Sequence, residues 1–310
     1  MINASKQMDR MRNPGLNLDL MSPIDLQEGV ARLSRGAYFK EAPLEMTLSI
    51  LTESAAQMSG VERVSIWALT GHQRELRCLD LYELSTRRHS SGVRLSASDY
   101  PAYFRALREE GCIVADDAAL HPSTSEFARG YLGPHQITAM LDTPIHIRGD
   151  LEGVFCIEQV GTRVPWTTTH RLFAHAVANL VTLALVEYEA DEARRQVRSA
   201  NERLRAVFDS SRDALLLADG DSGVILDANL KAEALFATSR LQLVGKHQRQ
   251  FHPGAEGANV FRNTIEGSLP PFVRTEIQCF DGAIKDVEIT TEVAEIGDGK
   301  RLALGIFRPI

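Results

Sequence analysis

The sequence predicts an α+β chain: two domains, each built on an antiparallel sheet, joined by one long helix able to form a coiled coil. Three observations carry that expectation. Residues 172–208 run for more than thirty positions without Gly or Pro. Within that stretch, apolar or small residues recur in alternating steps of three and four: Leu183, Val186, Ala190, Ala193, Val197, Ala200, Leu204 and Val207. Such a seven-residue repeat makes two helices wind around each other. On either side of the stretch, short apolar–polar alternations are separated by turn signals, as expected of sheets. At 310 residues the chain is long enough for two domains, each with its own core.

Across the seam, Glu189 of one copy could reach Arg194 of the other, and the opposite face is charged (Glu192, Arg195, Arg198, Glu202, Arg205). The alternative is a long amphipathic helix packed on its own domain. Three seam positions are alanines, so central packing is weak and the pairing is a candidate hinge. A helix that joins two domains and pairs two copies is a transmission element.

Composition narrows the class. Hydrophobic residues make up 44% and charged residues 24%, ordinary for a soluble protein. A net charge of −7 supplies no basic field for nucleic acid. The apolar run 176–186 is interrupted by Asn179 and Thr182, short of the roughly 20 residues of a membrane span. With no signal-peptide pattern at the start, a cytoplasmic location and no membrane span are expected. The four cysteines (Cys78, Cys112, Cys156, Cys279) form no Cys-x-x-Cys pair, so reduced, buried thiols are the default. No metal site and no catalytic constellation is expected.

Residues 1–21 show no clean period and read as a mobile arm. The first domain is expected over 22–171. Ser22-Pro23-Ile24-Asp25 is a helix start, and a second helix presents Leu44, Leu48, Leu51, Ala55 and Met58 on one face before Gly60. Strands follow around Val64–Leu69 and Leu76–Leu84, then a helix at Tyr100–Glu110 and a short strand at Cys112–Ala115. A short helix at Thr124–Leu132 and a hairpin, Ile137–Ile147 and Leu151–Val160 about Arg148-Gly149-Asp150, complete it. The order describes an antiparallel sheet with helices on one face.

Several strings here are distinctive: Asp99-Tyr100-Pro101-Ala102-Tyr103-Phe104, Val114-Ala115-Asp116-Asp117, Met140-Leu141-Asp142-Thr143-Pro144, Leu151-Glu152-Gly153-Val154-Phe155 and Trp166-Thr167. Together they resemble the GAF domain found at the front of many bacterial sensor kinases. The resemblance implies a ligand-sized cavity between the sheet and the mid-domain helices, without implying a ligand. Trp67, Tyr131, Met140 and Cys156 are the residues expected to line it. The Cys-His pair of bilin binders is missing, because Ile113 follows Cys112, and so is the string of cyclic-nucleotide binders. His121 or His135 could physically serve as a haem ligand, although a loop-satisfying histidine is the commoner role. Cys78 and Cys156, close across the sheet, are candidates for a redox pair, with inert buried thiols the alternative.

The second domain is expected over 209–310, after a connecting helix at 172–208. Strands Ala214–Asp219 and Val224–Asn229 flank a turn, short helices follow at Lys231–Phe236, Leu241–Gly245 and Ala258–Glu266, and three strands close the chain. Asp227-Ala228-Asn229, Leu243-Val244-Gly245-Lys246, Phe251-His252-Pro253 and Gly305-Ile306-Phe307-Arg308 resemble the PAS family. Candidate ligand contacts are Asn229, Phe236, Phe261 and Arg274, the arginine toward an acidic ligand. The flavin-photosensing motif is absent, and 258–266 carries no histidine for haem. The cofactor therefore remains unknown: the flavin and bilin signatures are absent, and haem would have to use a loop histidine such as His121 or His135.

No phospho-accepting His followed by Glu or Asp, Gly-Gly-Asp/Glu-Glu-Phe loop, Gly-x-Ser-x-Gly or His-Glu-x-x-His is present. Glu233-Ala234-Leu235 lies in one short helix and lacks the barrel that phosphodiesterase chemistry needs. The expectation is a cytoplasmic sensory module, of the kind found in two-component signalling, and not an enzyme. It would form a homodimer through the helix, bind a small molecule and act on an output domain, a histidine kinase or other signalling enzyme, in cis or in trans. The rival is a ligand-free dimerisation adaptor.

Overall fold

A computed structural model describes residues 23–36, 38–253 and 272–310. The chain divides into two compact units, residues 1–193 and 194–310, with the boundary inside the long helix.

The first unit opens with α1 (Pro23–Leu33), the single turn α2 (Tyr38–Glu41) and α3 (Leu44–Ser59). Helix α3 buries Leu48, Leu51, Thr52, Ala55 and Ala56, a three-and-four spacing that puts them on one face. It ends where Gly60 takes φ 69° and returns its N–H to Ala56 O at 2.8 Å, the left-handed stop that glycine adopts without a Cβ clash. Strands β1 (Arg63–Thr70), β2 (Glu75–Glu83), β3 (Arg88–Ser90) and β4 (Arg94–Ser96) come next. They are followed by α4 (Pro101–Glu109), β5 (Ile113–Ala115), a 3₁₀ turn (Ser125–Phe127), a π-helical turn (Ala128–Leu132) and α5 (Gly133–His135). The hairpin β6 (Ile137–Ile147) and β7 (Asp150–Val160) leads into α6 (Thr168–Ser210). All pairings are antiparallel, in the order β3-β2-β1-β7-β6-β5, with β4 also on β2.

The expectation of helices on one face needs correction, because both faces of this sheet are buried. One packs on α3 and the start of α6 through Val64, Ile66, Tyr82, Leu141, Phe155 and Ile157. The other is covered by α4 and the 3₁₀ and π turns, which bring Tyr103, Phe104, Phe127 and Tyr131 over Trp67, Met140 and Cys156. This second layer explains why β1, β6 and β7 read as near-continuous buried runs, and each large side chain removed from water contributes about 1.5–3 kcal/mol. Gly153 serves close approach: a Cβ there would lie 2.2 Å from the Trp67 carbonyl oxygen.

Helix α6 starts at a Thr167 cap, whose Oγ1 accepts from His170 N at 3.3 Å. Its early buried face is Phe173, Ala174, Val177, Ala178, Leu180, Val181 and Ala184. An 18-residue window of α6 reaches a mean hydropathy of 1.2, long and apolar enough by composition to cross a membrane. The buried apolar residues of that helix are the ones seated on the sheet.

In the second unit, β8 (Ala214–Asp219), β9 (Ile225–Ala228), α7 (Leu230–Phe236), α8 (Arg240–Leu243) and a 3₁₀ turn (Gln248–Phe251) precede β10 (Val273–Gln278), β11 (Ile284–Ile296) and β12 (Lys300–Pro309). The five-stranded antiparallel order is β10-β11-β12-β8-β9. Strand β8 alternates buried with half-buried residues, and Leu216, Ile225, Phe236, Leu243, Ile277, Val287 and Phe307 form the core. The helix expected at 258–266 lies outside the described residues.

Candidate functional site

In the first unit the chemistry lies on the sheet face beneath α4. Antiparallel register lines up Asp142, Cys156 and Ser65 in one row across β6, β7 and β1, with Met140, Glu158 and Arg63 in the next. Arg63 Nε donates to Glu158 Oε2 at 2.9 Å, and Nη1 pairs with Glu83. Burial pushes the Glu158 carboxyl up while Arg63 pulls it back. Burial also opposes the Arg63 charge, but Glu158 and then Tyr131 more than restore it. Tyr103 Oη donates to Asp142 Oδ2 at 2.8 Å, and Trp67 Nε1 donates to Ser65 Oγ at 2.8 Å. Asp142 Oδ1 and the Tyr131 hydroxyl make no hydrogen bond of full geometry, although Cys156 lies beside Asp142, and Arg63 and Glu158 beside Tyr131. Burial pushes the Asp142 carboxyl from 3.8 up to about 7, and the Tyr103 hydrogen bond offsets only part of that.

Trp67, Tyr131, Met140 and Cys156, the four residues named from sequence, all border one void together with Tyr103, Phe127 and Glu158. That void measures about 10 Å³, room for roughly one water-sized group. A larger guest requires side chains to move. Sequence reasoning missed Arg63, Tyr103, Asp142 and Glu158. Period-two counting would have found two of them, since Asp142 follows Met140, and Glu158 follows Cys156, by two positions along a strand.

Neither cysteine of the supposed redox pair is primed for thiolate chemistry. Burial, then the nearby Asp80 and Glu158 carboxylates, push the Cys78 thiol up to about 12. Burial and the Asp142 and Glu158 carboxylates raise Cys156 well above its ordinary range. His121 Nδ1 accepts from Ser123 N at 3.3 Å, a loop-satisfying role. Among the described residues no His/Cys/Asp/Glu group has metal-holding geometry.

In the second unit a void of about 40 Å³ is lined by Leu216, Gln248, His252, Ile289, Thr291 and Phe307, among others. His252 Nδ1 is buried there without a partner among the described residues, and burial lowers that histidine's pKa. The ligand contacts expected in this unit need correction. Asn229 is fully occupied: Oδ1 accepts from Leu215 N at 2.9 Å and Ala232 N at 2.8 Å, while Nδ2 donates to Phe208 O at 3.1 Å and Asp213 O at 3.0 Å. It caps α7 and ties the end of α6 to the sheet, leaving nothing for a ligand. Arg274 is exposed and reaches Glu288 on the neighbouring strand at 3.5 Å, because its position on β10 faces solvent. Phe236 is a core residue stacked near Phe251 and Phe307, at 5.1 and 5.4 Å between ring centroids. Phe261 lies outside the described residues.

Along α6, the seam residues Leu183, Val186, Ala193, Val197, Ala200, Leu204 and Val207 are exposed and Ala190 half-exposed. Val197, Leu204 and Val207 remain 62%, 68% and 71% exposed. Counting back from Leu183 in steps of four and three gives Asn179, Ala176, Leu172 and Thr169. Three of these, Thr169, Leu172 and Ala176, line an apolar groove of about 440 Å³ with Gln27, Val30 and Ala31 of α1. Near its end, Arg205 pairs with Asp209 at 2.7 Å and Asp227 at 2.8 Å, and donates to Ala228 O at 3.1 Å.

Two small antiparallel-sheet domains are thus linked by one long helix whose seam residues are exposed. A GAF domain model matches residues 43–185 and a PAS domain model residues 202–266. The chain is a GAF domain followed by a PAS domain, a signal-sensing regulatory module. It is similar to an uncharacterised protein of Azorhizobium caulinodans, at 25% identity over 193 residues; the match covers 58% of this chain and only 25% of that protein. Among solved structures, it is similar to the GAF domain of a phosphoenolpyruvate-protein phosphotransferase from Coxiella burnetii, at 17% identity with a TM-score of 0.44, covering 56% of this chain and 99% of that one. The PAS domain of an HTR-like protein from Haloarcula marismortui aligns at 19% identity with a TM-score of 0.34, covering 39% and 99%. The E. coli DhaR(N)–DhaL complex aligns at 15% identity and a TM-score of 0.40, covering 89% and 91%.

Proposed function

We propose that this chain is a cytoplasmic sensory module that dimerises through α6, senses a small molecule in the GAF interior, and passes the event along the paired helices. The recipient is an output domain, a histidine kinase or another signalling enzyme, in the same polypeptide or in a partner protein. The observation that carries this reading is the seam. Large apolar residues stay exposed at seven-residue spacing on a helix whose other face is already seated on the GAF sheet, and a second copy is the occupant that matches the spacing. The α1–α6 groove continues the same phase, which favours the same occupant. Three alanines among eight seam positions leave the pairing weak enough for two arrangements, the bistable element that a differential ligand must bias.

Inserting four residues after Ala193 rotates the downstream seam by roughly 50° against the upstream one, whereas seven restore the phase. The expected result is altered hydrogen exchange in the PAS domain, or altered activity of the output, for the four-residue insertion only. Equal behaviour of both insertions removes the helix as a transmitter. One observation favours the adaptor alternative: the GAF void holds only about 10 Å³, so the protein's own side chains nearly fill it.

A further inference from the structure

The loop between β7 and α6, residues 161–167, is held from two sides. From the sheet, Gln159 of β7 grips both backbone groups of Val164: its Oε1 accepts from Val164 N at 2.7 Å and its Nε2 donates to Val164 O at 2.9 Å. From the other side come Asp116 and Asp117, the two residues that follow β5. Asp116 Oδ1 accepts from Trp166 N at 2.7 Å, and Asp117 pairs with Arg163. Trp166 stands directly before the Thr167 cap of α6, and its ring meets that of His170 in the first turn edge-on, at 5.4 Å between centroids. The Asp117–Arg163 side chains are 33% and 48% exposed, where an ion pair contributes little. The Asp116 bond joins a charged acceptor to a backbone N–H, the stronger kind.

Asp116 belongs to the part of the chain that covers the GAF interior. Tyr103 of α4 precedes it, Phe127 and Tyr131 of the 3₁₀ and π turns follow it, and all three border the void. The strand between, β5, lies at the edge of the sheet and pairs with β6 through three residues. Asp117 O accepts from His121 N at 2.9 Å, Asp117 Oδ1 from Leu120 N at 3.2 Å, and Thr124 Oγ1 donates to Ala118 O at 2.7 Å. The turn carrying Phe127 is therefore built directly on residues 116–118. A void of about 10 Å³ admits a guest only if this cover shifts, and its 3₁₀ and π turns yield more readily than an α-helix. We propose that Asp116 couples the cover to α6: displacement of the cover draws Trp166 with it and re-seats the first turn of the helix, with Gln159 and Val164 as the pivot. The assignment rests on the GAF interior being the sensing site, and it names the residue through which that site reaches the transmitting helix. Asp116 is a positioning residue, acting from outside the void.

The test needs no ligand. Phe127→Leu loosens the cover from within, and Phe127→Ala takes its place should the leucine leave the cover unchanged. Hydrogen exchange of the full chain, read by mass spectrometry, follows the cover (100–132), the start of α6 (171–177) and β1 (64–68), the last as the measure of whole-domain opening. The first helical amide in that set, Arg171 N, bonds Thr167 O at 3.2 Å. Each Phe127 variant is made alone and together with Asp116→Ala or Asp116→Asn; Asp116 is exposed, so its substitution leaves the core intact. Alone, the Phe127 variant is expected to speed exchange in the cover and, about five- to tenfold relative to β1, at the start of α6. With Asp116→Ala the cover should still loosen while the start of α6 no longer responds. Asp116→Asn keeps an oxygen for Trp166 N and should restore most of the response. An Asp116 that only caps the loop would speed the start of α6 by itself and leave the response to the Phe127 variant unchanged. That result overturns the assignment, as does a helix that ignores the loosened cover in every background. Either leaves a sensing GAF interior standing, because no ligand enters the measurement.

Discussion

Asp142 makes the GAF domain pay in stability as the pH rises. Its carboxyl titrates at about 7 in the folded protein against 3.8 in an exposed reference. A raised acid contributes stability that is complete below the unfolded value and is lost as the pH climbs through the folded one. Between pH 4 and pH 7 the loss amounts to about 1.4 kcal/mol per pH unit, about 4 kcal/mol in total as an upper order of magnitude. Asp142→Asn removes the ionisation while keeping an oxygen for the Tyr103 hydroxyl at 2.8 Å. Urea titrations followed by tryptophan fluorescence at pH 4, 5.5, 7 and 8 would report the GAF domain alone. The variant's stability relative to wild type should rise steadily from pH 4 to 7 and level off above it. Burial lowers the His170 pKa in the same domain, a group whose stability falls with acid, but it is common to both proteins and cancels in the difference. A difference independent of pH would show that Asp142 titrates as an ordinary carboxylate and would refute the argument.

Val197→Asp with Leu204→Asp places charges on the seam and is expected to convert a dimer to monomers by sedimentation velocity; a monomeric wild type would sink the pairing. Arg63→Met leaves Glu158 buried without its cation and should cost the GAF domain about 3–5 kcal/mol in urea titrations, with Glu158→Leu added in the same chain recovering most of it. Asn229→Ala removes four hydrogen bonds at once and should cost the PAS domain about 2–4 kcal/mol, read as faster hydrogen exchange at the Leu215 and Ala232 amides.

Local patterning carried the reading of the sequence a long way. The Gly- and Pro-free stretch and its three-four spacing mark the long helix, and the alternating runs about Arg148-Gly149-Asp150 mark the hairpin of the first domain. Trp67, Tyr131, Met140 and Cys156 converge on one interior because each lies on a strand or turn facing α4. The short strands β3 and β4 were not legible: three residues apiece, rich in Arg, Ser and His, carry too little period to register. Arg274 was misjudged because a strand residue's facing depends on register, and one position decides between core and solvent. Asn229 was misjudged because the Asp-Ala-Asn string shows a polar residue at a strand end but not that four backbone groups converge on it.

The sequence by itself determined the long helix, the longer strands and hairpins of both sheets, and which face of the connecting helix is left apolar. All of these follow from propensity and periodicity within a few neighbouring residues. Only the tertiary structure decided that Arg63 meets Glu158 across 95 residues of chain, and that Asp142 is enclosed beside Cys156. The second helical layer over the sheet and the small volume of the GAF interior were settled at the same level. Those outcomes depend on strand register and on which loop closes over which face, and the energies that fix them arise between residues far apart in sequence.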